Sequence, residues 1–115
     1  MSGAEDVVGD WISIDEAAAR LDFPVSRVRQ LLREGRLIAL RRERNLQMPA
    51  AFVHDGAVLK GLTGTLTLLR DAGYSAEESL CWLFTPDDTL PGSPVQALAE
   101  NRGAEVKRRA QALGY

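Results

Sequence analysis

Residues 13–48, SIDEAAARLDFPVSRVRQLLREGRLIALRRERNLQM, decide how this chain is read. They spell a short helix, a tight turn, a second helix ending at a glycine, and a basic hairpin. Ser13 stands where a helix cap is needed, and Glu16, three residues on, is placed to reach back to the Ser13 amide in a capping box. Ile14, Ala17, Ala18 and Leu21 then recur at helical spacing and form a narrow apolar face that another helix can approach closely. Asp22-Phe23-Pro24 ends this helix. A proline disfavours helical geometry in the residue before it and suits the first turn of a new helix.

The second helix carries the functional signal. At about 100° per residue, Val25, Val28, Leu31 and Leu32 gather on one side. Ser26, Arg27, Gln30 and Arg33 lie around the other, Arg29 sits on the flank, and Gly35 is the expected left-handed terminator. A helix held by its apolar side while it presents Arg and Gln fits a helix-turn-helix. In such proteins the second helix enters the major groove of DNA, its N-terminal residues nearest the base edges. Arginine bonds guanine through two donors, and glutamine pairs with adenine in the same bidentate way. On an ordinary helical hairpin the same pattern would be only a solvated face, and the next segment separates the two readings.

Leu37-Ile38-Ala39-Leu40 reads as a strand, Arg41 to Asn45 as a charged turn, and Leu46-Gln47-Met48 as the returning strand, with Pro49 expected to stop the pairing. The turn region sets Arg41, Arg42 and Arg44 against one acid, Glu43. A two-stranded wing tipped with arginine suits phosphate or minor-groove contact beside the helix.

Net charge over the 115 residues is −2, which by itself does not suggest a polyanion as partner. Its distribution does. Between Arg20 and Met48 lie eight arginines and three acids, a local charge of +5; the remainder has six basic and thirteen acidic residues, or −7. Local field, not total charge, sets where a polyanion docks. The length suits one compact domain, or a small domain with an appended helical segment. No apolar run approaches the roughly 20 residues of a membrane-spanning helix, and the N-terminus lacks a basic-then-apolar leader. A single cysteine, Cys81, allows no internal disulfide and suits a reducing compartment. A cytoplasmic, nucleoid-associated location is expected, with no membrane contact.

Residues 1–10, MSGAEDVVGD, read as a flexible acidic tail. Residues 11–60 then form the winged domain, opened by Trp11, which packs against it, and Ile12, which staples onto the first helix. Phe52 and Val53 turn back to the core, and His54-Asp55-Gly56 is a turn. Residues 61–115 form a C-terminal helical segment packed on this domain. A helix through Leu66, Leu68, Leu69 and Ala72 ends at Gly73. Ser75 and Glu78 make a second capping box for a helix whose Leu80, Cys81, Trp82, Leu83 and Phe84 are apolar nearly all round, which implies burial on two sides. Ser93-Pro94 opens a short helix, and Ala104 to Leu113 a last one, with Lys107, Arg108 and Arg109 read as a solvated face. The expected fold class is therefore mainly α with a small β-hairpin.

Catalysis has no foothold in this pattern. There is no phosphate-cradling glycine loop, no nucleophile with a base to activate it, and no metal-ligand cluster, since His54 is the only histidine and has no companion. Neither an enzyme nor a cofactor is expected, and no metal.

Two resemblances add to this reading. The helix-turn-helix with its LREGRL end looks like the winged-helix group that includes excisionase-like and MerR-like DNA-binding domains. More specifically, LREGRLIALRR, GAVLKGLTGTLTLLRDAGYS, WLFTPDDTL, SPVQAL and EVKRRAQALGY together resemble a small actinobacterial family of winged-helix DNA-binding proteins, with a mycobacterial member that is a protein-kinase substrate. The likeness spans about residues 12–115. It implies a winged helix-turn-helix with extra C-terminal helices, double-stranded DNA as partner, and contacts from Arg27, Arg29, Gln30, Arg33, Arg41, Arg42 and Arg44, to which the helix reading adds Ser26. Pro24 stands where related helices often carry a serine cap, so this helix is expected to begin a residue or two later. The C-terminal third is similar, more loosely, to the toxin-binding segment of some antitoxins. That implies an alternative function, an antitoxin or adaptor module that docks a protein through Trp82 and Phe84. A homodimer on a two-fold site and a monomer using helix plus wing both remain open.

Overall fold

The apolar faces marked out by helical spacing close on one another in the order the sequence lays them down. The computed structural model describes residues 7–114. Strand β1 (Trp11–Ser13) leads into α1 (Ile14–Leu21) and α2 (Val25–Arg33), followed by the hairpin β2 (Leu40–Arg42) and β3 (Asn45–Pro49). One turn of 3-10 helix (Ala50–Phe52) and a second small hairpin, β4 (Val53–His54) with β5 (Ala57–Val58), lead to four helices: α3 (Leu62–Asp71), α4 (Ala76–Phe84), α5 (Pro94–Ala99) and α6 (Gly103–Ala112). The fold is mainly α with small antiparallel sheets, a winged helix-turn-helix continued by C-terminal helices. No helix among the described residues is long and apolar enough to cross a membrane.

Ser13 caps α1 by accepting from Glu16 N at 3.0 Å. The other half of the expected capping box does not form. Ser13 is also the last residue of β1, opposite Gln47, so its backbone belongs to the sheet, and the Glu16 carboxylate turns instead to Arg20 Nε at 2.9 Å. Pro24 caps α2 in extended geometry without a side-chain hydrogen bond, so the helix proper starts at Val25.

The wing differs from its sequence reading. Sheet order is β1-β3-β2, which makes β3 central and β1 a third strand that the sequence pattern did not reveal. The hairpin turn is only Glu43-Arg44, both at positive φ (49° and 72°), the mirror-image geometry that matches strand twist. Pairing therefore runs through Arg41 and Arg42, while Leu37 to Ala39 stay outside the sheet. Leu37 is instead drawn into the core, 1% exposed, where the chain turns off α2 and its amide bonds Leu31 O at 3.3 Å. Nor does Pro49 stop the pairing. It lies beyond the end of β2 and pairs with Trp11 on the other side.

A single hydrophobic cluster runs from Ile12 to Val106 and joins both halves of the chain. Ala17, Val28, Met48 and Phe52 come from the first half, and Leu62, Leu69, Leu80, Leu83, Leu90, Ala97 and Val106 from the second; all are fully buried. Each large member contributes up to about 2–3 kcal/mol through burial. The expected capping box at α4 is complete: Glu78 N donates to Ser75 Oγ (3.1 Å) and Ser75 N to Glu78 Oε1 (2.9 Å). Gln96 completes another at Ser93. As for the expected acidic tail, residues 1–6 lie outside the described residues; at its inner end Val8 packs on the core and Asp10 O accepts from Ala50 N at 3.0 Å.

Candidate nucleic-acid interface

The buried side of α2 fixes what its other side presents. Val28 and Leu31 are buried, and Val25 and Leu32 are partly covered, so Ser26, Arg27, Arg29, Gln30 and Arg33 are all exposed. Two of the three alanines of α1 supply the close approach: Ala17 and Ala18 are buried where α1 and α2 pack, while Ala19 is exposed.

Around the exposed face the side chains divide. Arg27 folds back so that its guanidinium carbon lies 5.7 Å from the Phe23 ring centroid, a cation–π contact that orients it. Gln30 Nε2 donates to Glu34 Oε2 at 3.1 Å, and the other Glu34 oxygen pairs with Arg36 Nε at 3.4 Å. Both contacts are exposed and cost little to exchange for another partner. Arg29 and Arg33 make no hydrogen bond or ion pair with other described residues.

Strand alternation then sorts the wing arginines. Successive side chains on a strand point to opposite faces, so Arg41 and Arg42 cannot point the same way. Arg41 lies on the face shared with buried Met48 and Ile12 and projects at its open end toward α2. Arg42 takes the outer face. Its guanidinium stacks on Trp11 at 4.7 Å from the ring and donates to Gln47 Oε1 at 3.0 Å, half-buried. Sequence reasoning grouped Arg41, Arg42 and Arg44 as one tip. The structure brings Arg41 and Arg44 together, with Arg41 Nη1 donating to Arg44 O at 3.3 Å, and sets Arg42 apart.

Arg29, Arg41 and Arg44 line one open cleft of about 350 Å³ between α2, the wing and the start of α1. Ser13, Asn45 and Gln47 supply neutral polar groups to its walls, and Asp15 is the one acid among the described residues that line it. Three arginines from two separate elements thus line a common space, an arrangement that attracts an anion with oxygens on several sides. The sequence did not single out this cleft, because joining Arg29 to the wing requires the hairpin register.

The C-terminal candidates separate as well. Phe84 packs toward the core, its ring 6.1 Å from that of Phe52. Trp82 is half-buried and lines a groove of about 730 Å³ with Tyr74, Glu77, Glu78, Cys81 and Asp88 among others. In the turn closing that groove, Asp87 Oδ1 accepts from Thr89 N (2.9 Å) and Thr89 Oγ1 (2.7 Å), and these bonds hold its carboxyl below the usual value. His54 pairs only with exposed Asp55, at 3.4 Å, and no group of three metal-ligating side chains occurs among the described residues.

A helix-turn-helix flanked by a three-stranded sheet with an arginine-tipped hairpin defines the class, a winged helix-turn-helix protein. Residues 4–53 match the family model described as DNA-binding protein Rv2175c, wHTH domain, and residues 59–114 match Rv2175c C-terminal domain of unknown function. The chain is 44% identical over 115 residues to "DNA-binding protein Rv2175c" of Mycobacterium tuberculosis, covering 89% of this chain and 79% of that protein. It superimposes on the NMR structure of Rv2175c with a TM-score of 0.82 at 40% identity, covering 92% of this chain and 82% of the other. The chain belongs to the Rv2175c family of winged helix-turn-helix DNA-binding proteins.

Proposed function

We propose that this protein binds double-stranded DNA and acts as a transcriptional regulator or nucleoid-associated factor, a binding protein rather than an enzyme. The observation that carries the proposal is the convergence of Arg29, Arg41 and Arg44 on one cleft beside the exposed polar side of α2. In this reading α2 lies in the major groove, with Ser26, Gln30 and Arg33 toward the base edges and Arg27 at the flank. The cleft holds backbone phosphate, so the wing fixes register while the helix discriminates, each good bidentate base contact being worth about 1–3 kcal/mol. Selection of bound duplexes from a random pool, with the mass of free and bound protein measured in parallel, tests the proposal. An enriched motif retained in a salt-dependent way is expected, with one half-site for a monomer or two for a homodimer. No salt-dependent retention of any duplex would overturn it.

A second reading, docking of a protein partner on the C-terminal helices, draws its support from Trp82 in its groove. Phe84 supports it less, since its ring faces Phe52. A partner that co-purifies with the wild type and is lost from a folded Trp82→Ala variant would favour this reading.

A further inference from the structure

Most side chains of the C-terminal helices that touch the first half of the molecule are apolar and serve packing. Arg70, in the last turn of α3, is different. It is exposed, yet its guanidinium lies against the C-terminal end of α2: a Cβ at Gly35 would fall 2.0 Å from Arg70 Nη1 and 3.1 Å from Arg70 Cζ. Gly35 has φ +74°, so its backbone already favours glycine, and the missing side chain leaves the space that the guanidinium fills. Two turns earlier, Thr63 Oγ1 donates to Arg36 O at 3.4 Å, so α3 runs alongside the turn that follows α2.

This placement concentrates positive charge. Arg33 and Arg36 lie within two residues of Gly35, and Arg70 joins them from a distant part of the chain. The acid of that turn, Glu34, already serves both Gln30 and Arg36. Asp71, next to Arg70 in sequence, lies on another side of α3, where it lines a cavity with Arg108. Arg70 itself has no hydrogen bond or ion pair with any described residue. The helix dipole of α2 favours a cation here but leaves the guanidinium donors unused. A planar fork of free donors beside an arginine-rich helix matches phosphate geometry.

Resting on the reading that α2 and the wing hold DNA, we propose that Arg70 contacts a backbone phosphate, so that the C-terminal helical segment is part of the DNA interface. The footprint then has two anchors, the Arg29–Arg41–Arg44 cleft on the wing side and the Arg36–Arg70 pair at the end of α2.

Titrating full-length protein into a fluorescent duplex at several salt concentrations tests this, with Arg70→Gln, Arg70→Lys and Arg29→Ala compared to wild type. Arg70→Gln should weaken binding about three- to tenfold at low salt and make the slope of log K against log salt shallower by about 0.9, the loss of one phosphate contact. Arg70→Lys, which keeps the charge, should retain most of the slope. If Arg70→Gln lowers the melting temperature or the affinity while leaving the slope unchanged, Arg70 is a brace between helices and the inference falls. If Arg29→Ala also keeps the wild-type slope, the failure lies with the DNA reading of α2 and the wing. A shallower slope for Arg29→Ala alone sinks only the assignment of Arg70.

Discussion

Two groups of arginines do opposite work in this molecule. In the C-terminal half, Arg102 donates to Leu90 O at 2.7 Å and Pro91 O at 3.3 Å and pairs with Glu100, while Arg109 donates to Thr89 O, Thr89 Oγ1 and Glu105 O. These guanidiniums satisfy the Thr89, Leu90 and Pro91 carbonyls of the loop between α4 and α5. In the helix-wing half, Arg29, Arg33 and Arg44 keep their donors exposed and unbonded to described residues. The same side chain is mortar in one place and an open hand in the other. What separates the two is where the donors go, and neither composition nor local charge reveals that.

Substitutions should split along this line. The largest effect on DNA is expected from replacing Arg29, Arg41 and Arg44 together by alanine: duplex affinity falls at least a hundredfold near 50 mM salt, and the salt slope flattens by roughly two to three, with the melting curve nearly unchanged. Fluorescence anisotropy and calorimetry on the same preparation measure both, and an unaltered slope would erase the distinction between the two groups. Arg102→Ala should do the reverse. Stranding the Leu90 carbonyl costs about 1–3 kcal/mol in denaturant unfolding, while affinity per folded molecule stays at the wild-type value. Arg42→Ala probes the boundary, because its wing position suggests DNA contact while its stacking on Trp11 suggests structure. A stability loss of about 0.5–2 kcal/mol is expected, with a smaller affinity loss than for Arg41→Ala. A larger affinity loss would move Arg42 into the DNA-facing group.

The smallest effect is acid sensitivity in the second half. Asp87 is held below the ordinary carboxylate pKa by its bonds from Thr89. Its contribution is complete above the unfolded-state value and is lost as pH falls through the folded one, so it should fade below about pH 4. Melting temperatures of wild type and Asp87→Ala should converge there. A difference that persists into strong acid would contradict the sign.

Much of the fold was legible because local signals agreed with one another. Ser13, Gly35, Gly73, Ser75 and Ser93 punctuate helices whose apolar spacing is regular, and each stands at a helix end in the structure. What escaped the sequence was pairing at a distance. β1 is three residues long, too short to show alternation, and exists only because β3 lies beside it. Leu37 to Ala39 looked like a strand because they are apolar, but apolarity there marks burial after the turn at Gly35 rather than a ladder. The candidate interface divides the same way. The outward side of α2 followed from periodicity. The separation of Arg41 from Arg42 needed the two-residue turn, and the place of Arg70 against Gly35 needed tertiary contact across 35 residues of chain.

The Glu43-Arg44 turn has one more consequence. Because the turn fixes the register and side chains alternate along a strand, inserting a single residue between Arg42 and Glu43 would exchange the two orientations, sending Arg42 to the inner face and Arg41 to the outer face that carries Trp11. An insertion of two would keep the present parity. Wings of related proteins that use the same inward cation should therefore differ by even steps in the number of residues between that cation and the turn, a constraint that a comparison of those spacings alone would expose.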